Sequence, residues 1–104
     1  MKEVFRTMNI NIAITKGARQ FGYLIWNNKN GIEIEKLLEG LKRIHIKFND
    51  FDLGEKNIDS KYHRISLGYK LTRAMPKEHN MYFIYMENGI LEVKSYNGNN
   101  REEL

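Results

Sequence analysis

Two runs rich in β-branched and aromatic residues, MYFIYM (81–86) and ILEVKSY (90–96), flank Asn88-Gly89. Asn-Gly between such runs signals a tight hairpin, because a type I′ turn needs positive φ at both central residues. The hairpin completes a longer block, residues 62–96, that reads as strand, short helix and hairpin. The same order is written once before, in residues 21–58. FGYLIW (21–26) corresponds to HRISLG (63–68), the helix around 33–41 to 69–75, and KRIHIKF (42–48) to NMYFIYM (80–86). The Asn49-Asp50 turn corresponds to Asn88-Gly89, and a return strand follows each. The offset is about 40 residues, within the range of duplicated units. Each half is too small to bury its own apolar faces, whereas two together can close a small barrel and remove exposed edges. The expected fold class is mainly β (α+β), a small barrel-like domain of two similar β-α-β-β halves. Residues 1–104 form a single domain, with tandem units at 21–58 and 62–96 and a flexible tail at 97–104.

Local patterning supplies the elements. Residues 9–15 alternate, with Ile10, Ile12 and Ile14 on one side, as in a half-buried strand. KGARQ (16–20) reads as a polar break. FGYLIW is apolar throughout, the pattern of a strand buried on both faces. NNKNG (27–31) reads as a turn, and Asn30 with Glu33 forms a capping-box pattern ahead of an apolar stripe of Ile34, Leu37, Leu38 and Leu41. The helix should run two to three turns and end near Gly40. Residues 43–48 alternate again, with Ile44, Ile46 and Phe48 inward. Residues 51–58 read as a weak return strand interrupted by Gly54. Residues 64–67 form the next strand and Gly68 breaks it. Helix 69–75 turns Leu71, Met75 and Ala74 to the core and stops at Pro76, the only proline.

Composition removes several function classes. There is no cysteine, which excludes disulfides, thiolate catalysis and Cys-ligated zinc. No apolar run reaches signal-peptide length, let alone the roughly 18 residues of a membrane span, so a cytoplasmic protein without membrane association is expected. The three histidines, His45, His63 and His79, lack metal-ligand spacing. Ser60 and Ser66 lack a nucleophile-elbow context, and glycine-rich phosphate loops are absent. Glu33, Glu35 and Glu39 read as a solvated helix face. No constellation of acid, base and nucleophile converges, so neither enzymatic activity nor a cofactor is expected. A formal charge of +4, from 17 Lys and Arg against 13 Asp and Glu, permits a polyanionic partner without demanding one.

The series strand, sharp break, short amphipathic helix, strand, tight turn, strand resembles the AbrB/MazE/MraZ family of swapped-hairpin transcription factors. RISLGYKLTRAM (64–75) is the nearest piece, and the tandem arrangement of residues 21–96 looks most like MraZ. The family's proline after the strand is replaced by Trp26 and Gly68. Its helical arginine pair is absent, with Lys36 in one unit and Lys70 and Arg73 in the other. The resemblance implies a non-enzymatic regulator that binds duplex DNA, as a homodimer or higher oligomer.

Lys61, His63, Arg64, Lys70 and Arg73 crowd the strand-helix corner of the second unit, where the resembled family makes nucleic-acid contacts. Arg64 and Arg73 are the foremost candidates, since a guanidinium grips phosphate in a fork or reads a guanine edge. Lys70 would contact phosphate. Lys16, Arg19 and Lys29 lie in loops beside FGYLIW and can extend the surface. Arg43, His45 and Lys47 share one strand face, either a stripe that tracks a phosphate backbone or a solvated sheet face. Most aromatics read as core, with Trp26 and Tyr69 the foremost candidates for exposure. Two further readings stay open. One is a protein-interaction module, such as a small phage or mobile-element inhibitor, whose basic surface binds an acidic partner. The other is a small barrel for RNA or single strands, which needs exposed aromatic platforms.

Overall fold

The computed structural model describes residues 9–26 and 32–98. Lys29, the 27–31 turn, the Asn30 cap and residues 99–104 of the tail lie outside the described residues. The elements run β1 (Ile10–Ala13), α1 (Lys16–Phe21), β2 (Tyr23–Ile25), α2 (Ile32–Leu37), β3 (Arg43–Phe48), β4 (Phe51–Asp59), β5 (Arg64–Ser66), α3 (Tyr69–Ala74), β6 (Met81–Glu87) and β7 (Ile90–Tyr96). The strands form a seven-stranded sheet in the order β1-β6-β7-β3-β4-β5-β2, curled into a half-barrel. All neighbours are antiparallel except β3 and β7. The described residues are therefore mostly β, with three short helices. Its open edges, β1 and β2, are four and three residues long, and short edges offer little template for pairing with other chains.

The order β-α-β-β recurs as β2-α2-β3-β4 and β5-α3-β6-β7. The partners differ: β3 lies between β4 and β7, whereas β6 lies between β7 and β1. Both hairpin turns take the expected conformation, with φ of 48° and 74° at Asn49 and Asp50 and of 54° and 80° at Asn88 and Gly89. Asn49 also ties its turn to β7. Its side-chain Nδ2 donates to Ser95 Oγ at 2.9 Å and its Oδ1 accepts from the Ser95 backbone N–H at 2.9 Å.

The core lies on one face of the sheet. Ile10, Ile12, Leu24, Ile44, Ile46, Phe48, Ile65, Ile84, Leu91 and Val93 project into it from alternate strand positions. Ile34 and Leu38 from the α2 region and Met75 after α3 cover it. Thr72 is fully buried on α3, and its hydroxyl donates to the Arg19 carbonyl at 2.6 Å. Ala74, expected inside, is exposed instead.

The structure corrects four local expectations. Residues 16–20 are not a break but most of α1. Thr15 Oγ1 accepts the Ala18 N–H at 3.1 Å, and Gly22 ends the helix at φ +82°, its N–H donating to Ala18 O at 2.9 Å. An N-cap threonine and a left-handed glycine bracket the stretch, and Lys16, Ala18, Arg19 and Gln20 within it are good helix formers, which suffices for one short helix despite Gly17. This removes Phe21 from the strand and leaves it exposed. The strand that remains, β2, is covered on one face only, because the core lies on one face of the sheet: Leu24 is buried while Tyr23 and Ile25 are half-buried. Helix α2 spans six residues, short of two turns, and Leu41 is exposed. Finally, Gly54 does not interrupt β4. It sits at φ +72° where the pairing shifts register, with Ile46 opposite Gly54 and Lys47 opposite Asp52, so the extra Leu53 is absorbed as a bulge.

Tyr82 is 1% exposed, its ring edge-on to Phe48 at 5.9 Å, and its hydroxyl has no hydrogen-bond partner among the described residues. Burial pushes the phenol far above its usual range. Removing an unpaired buried hydroxyl relieves a desolvation cost of about 1–3 kcal/mol without breaking a bond. Tyr82→Phe should therefore leave the melting temperature unchanged or raise it by several degrees. A drop of 5 °C or more, about 1 kcal/mol for a domain of this size, would show that the hydroxyl is paired.

Candidate nucleic-acid interface

On β2 and β5, Leu24 and Ile65 face the core, so Tyr23, Ile25, Arg64 and Ser66 share the outer face. Tyr23 pairs with Ser66 and Ile25 with Arg64. Arg64 reaches diagonally. Its guanidinium carbon lies 4.4 Å from the Tyr23 ring centroid and 4.9 Å from that of Tyr62, and Nε bonds Asp59 Oδ2 at 3.3 Å. Lys61 Nζ stands 5.4 Å from the same Tyr62 ring. Tyr62 is 56% exposed.

A second cation–aromatic pair follows on α3. The Arg73 guanidinium lies 4.8 Å from the Tyr69 ring centroid, and its Nε donates to the Gln20 carbonyl at 2.9 Å. Tyr69 is half exposed, and Lys70 beside it is exposed. The two pairs are joined through the backbone. Gly22, immediately before Tyr23, accepts the N–H groups of Leu67 and Gly68 at 2.7 and 3.1 Å. Its α-carbon lies so close to the start of α3 that an added Cβ would fall 2.3 Å from Tyr69 N. The exposed ring of Phe21 projects from this same junction.

Other candidates are committed elsewhere. Arg19 donates Nη1 to Met75 O at 3.2 Å and Nη2 to Pro76 O and His79 O, both at 2.9 Å. It holds the chain that leaves α3. Lys16, in the first turn of α1, is exposed. His63 adopts a left-handed backbone at φ 56° and hydrogen-bonds through Nδ1 to Glu35 Oε2 at 2.8 Å. The same carboxylate oxygen accepts the Trp26 indole N–H at 2.7 Å. Trp26 is therefore buried, at 4% exposure, contrary to expectation, because Glu35 satisfies its only polar atom. Glu35 itself is no mere solvated residue. The Trp26 bond, and then the His63 bond, hold its carboxyl below the usual range despite some desolvation.

Arg43, His45 and Lys47 occupy the outer face of β3, separated from the corner by β4. Acids answer them in turn. Arg43 Nε lies 3.6 Å from Glu55, His45 Nε2 lies 2.6 Å from Asp52, and Lys47 stands opposite Asp52 in register. The Gly54 N–H, and then His45, depress the Asp52 carboxyl. Lys61 and Arg64 thus stand by Tyr62, and Arg73 stands by Tyr69 with Lys70 next in the chain, while the β3 stripe is a sheet face whose Arg43 and His45 are ion-paired.

An open cleft of about 710 Å³ lined by Trp26, Leu38, Leu41, Ile58 and neighbours borders α2. The described residues contain no group of three or more His, Cys, Asp or Glu able to hold a metal. No described helix is long and apolar enough to cross a membrane.

No protein-family model matches the chain, and neither does any curated protein or solved structure.

Proposed function

We propose that the protein is a non-enzymatic nucleic-acid-binding module whose contact surface is the corner formed by β2, β5 and α3. One observation carries this reading: the guanidinium carbons of Arg64 and Arg73 lie 4.9 and 4.8 Å from the ring centroids of the exposed Tyr62 and Tyr69, and Lys61 and Lys70, next to those tyrosines in the chain, are exposed as well. Cations supply the sequence-independent attraction to phosphate, and arginine planes and aromatic rings supply faces for bases. A role in transcription and a symmetric oligomer are what the AbrB-like resemblance adds.

The test is a titration of the purified protein against duplex DNA, single-stranded DNA and RNA at two salt concentrations. Salt-sensitive binding to any of them supports the reading. If none binds even at low salt, the reading fails and the same surface becomes a candidate for an acidic protein partner. Combining Arg64→Ala with Arg73→Ala should weaken binding and flatten its dependence on log salt by about one to two units, the signature of roughly two lost phosphate contacts. An unchanged slope would remove these arginines from the contact.

A further inference from the structure

Resting on the nucleic-acid reading, we infer that the corner is a stacking site for unpaired bases, so that its ligand is a single strand rather than a duplex. Arg64 stands beside two rings at once. Its guanidinium carbon lies 4.4 Å from the centroid of the half-buried Tyr23 and 4.9 Å from that of the exposed Tyr62. Asp59 fixes the arginine at Nε. The guanidinium is thus held beside both rings before any ligand arrives, which lowers the entropy a ligand must offset. Tyr69 with Arg73 is a second cation–aromatic pair, with Arg73 fixed at Nε by the Gln20 carbonyl.

Two features distinguish this surface from a duplex-binding one. First, its exposed area is aromatic as well as cationic: Phe21, Tyr62 and Tyr69 are each at least half exposed. A duplex hides its base faces in its own stack and offers such rings nothing but groove walls, whereas every unpaired base offers a π-face. Second, the feature that would suit a phosphate backbone better, the Arg43-His45-Lys47 stripe, is matched by Glu55 and Asp52. In the corner, Lys61 and Lys70 together with the two arginines serve phosphates while the rings take bases. RNA and single-stranded DNA share this chemistry.

The experiment is fluorescence anisotropy with labelled oligo-dT, oligo-U and a mixed-sequence duplex, each about 15 nucleotides or base pairs long to span one small-barrel site. Wild type, Tyr62→Ala, Tyr69→Ala and Tyr62→Phe are compared, with thermal melts confirming that each is folded. Both tyrosines are exposed, so the alanine variants should melt like wild type. The expected result is tighter binding of a single strand than of the duplex by about ten-fold or more. Each alanine should weaken it about five-fold to a hundred-fold, and Tyr62→Phe should keep near-wild-type affinity, since stacking needs the ring and not the hydroxyl. Preference for oligo-dT or for oligo-U would tell DNA from RNA, and either supports the inference. Duplex binding equal to or tighter than single-strand binding, or alanine variants with unchanged affinity, would overturn the stacking site and leave the nucleic-acid reading standing. Failure of all three probes to bind would overturn both.

Discussion

Replacing Gly22 by alanine is expected to unfold the protein or lower its melting temperature by about 20 °C or more. Two penalties coincide there. The backbone is left-handed, at φ +82°, which costs a non-glycine residue about 1–2 kcal/mol. The added methyl would also lie 2.3 Å from Tyr69 N and 2.6 Å from Gly68 C and Tyr69 Cα. Those are backbone atoms and cannot rotate away. Relief would require α1 and α3 to separate, stretching the bonds from Leu67 and Gly68 to Gly22 O and from Thr72 Oγ1 to Arg19 O. A total near 4 kcal/mol or more is a large share of the roughly 5–15 kcal/mol by which domains are stable, and each kcal/mol moves the midpoint of a domain of this size by about 4–8 °C. Gly17→Ala is the control. It lies within α1 with nothing within 4 Å of its would-be Cβ, and should stabilise by about 0.5–1 kcal/mol. A Gly22→Ala variant that melts within a few degrees of wild type would show that the two helices are not held so close.

Gly22 also marks where the sequence is legible and where it is not. Period-two alternation exposed β1 and β3, and Asn-Gly exposed the β6-β7 hairpin, because these signals are local: the side chains that declare the strand also bury it. The parallel pairing of β3 with β7 has no local signature. It joins elements more than forty residues apart and follows from how the two hairpins pack. FGYLIW misled for a related reason. Six apolar residues suggest a strand covered twice, yet Gly22 divides them between a helix end and an edge strand. The signal was present in Thr15 three residues before Ala18 and in Gly22 after Phe21, but an α-helix of six residues has too little periodicity to reveal itself.

For the site, residue type was legible and commitment was not. Arg64, Lys70 and Arg73 lie on strand, glycine and helix that are consecutive in the chain, so their neighbourhood in sequence was legible. Tyr69 is exposed as expected. Trp26 is not, because its fate depended on Glu35, nine residues away, offering a carboxylate to the indole. Composition cannot say which charges are answered. The β3 stripe reads as either a phosphate track or a solvated sheet face until the bulge at Gly54 sets Asp52 opposite Lys47 and beside His45. Tyr62, in the connector before β5, gains its importance only when Arg64 reaches back across it.

Arg19 separates structural from ligand-binding arginine most sharply. Its guanidinium donates to the carbonyls of Met75, Pro76 and His79, the three points at which the chain leaves α3 and turns toward β6. Arg19→Met keeps much of the aliphatic stem and removes the donors. Hydrogen bonds to a charged group contribute about 1.5–3 kcal/mol each, but these carbonyls are partly accessible and can turn to water, so the expected net loss is about 2–4 kcal/mol, read as a lower urea midpoint with an unchanged m-value. Arg19→Lys should recover only part of it, because one ammonium lacks the planar fork that spans three acceptors. Nucleic-acid affinity, measured where Arg19→Met remains folded, should change less than on Arg64→Ala. The opposite pattern, full stability with lost binding, would mean that Arg19 faces the ligand and that the three carbonyls are held without it.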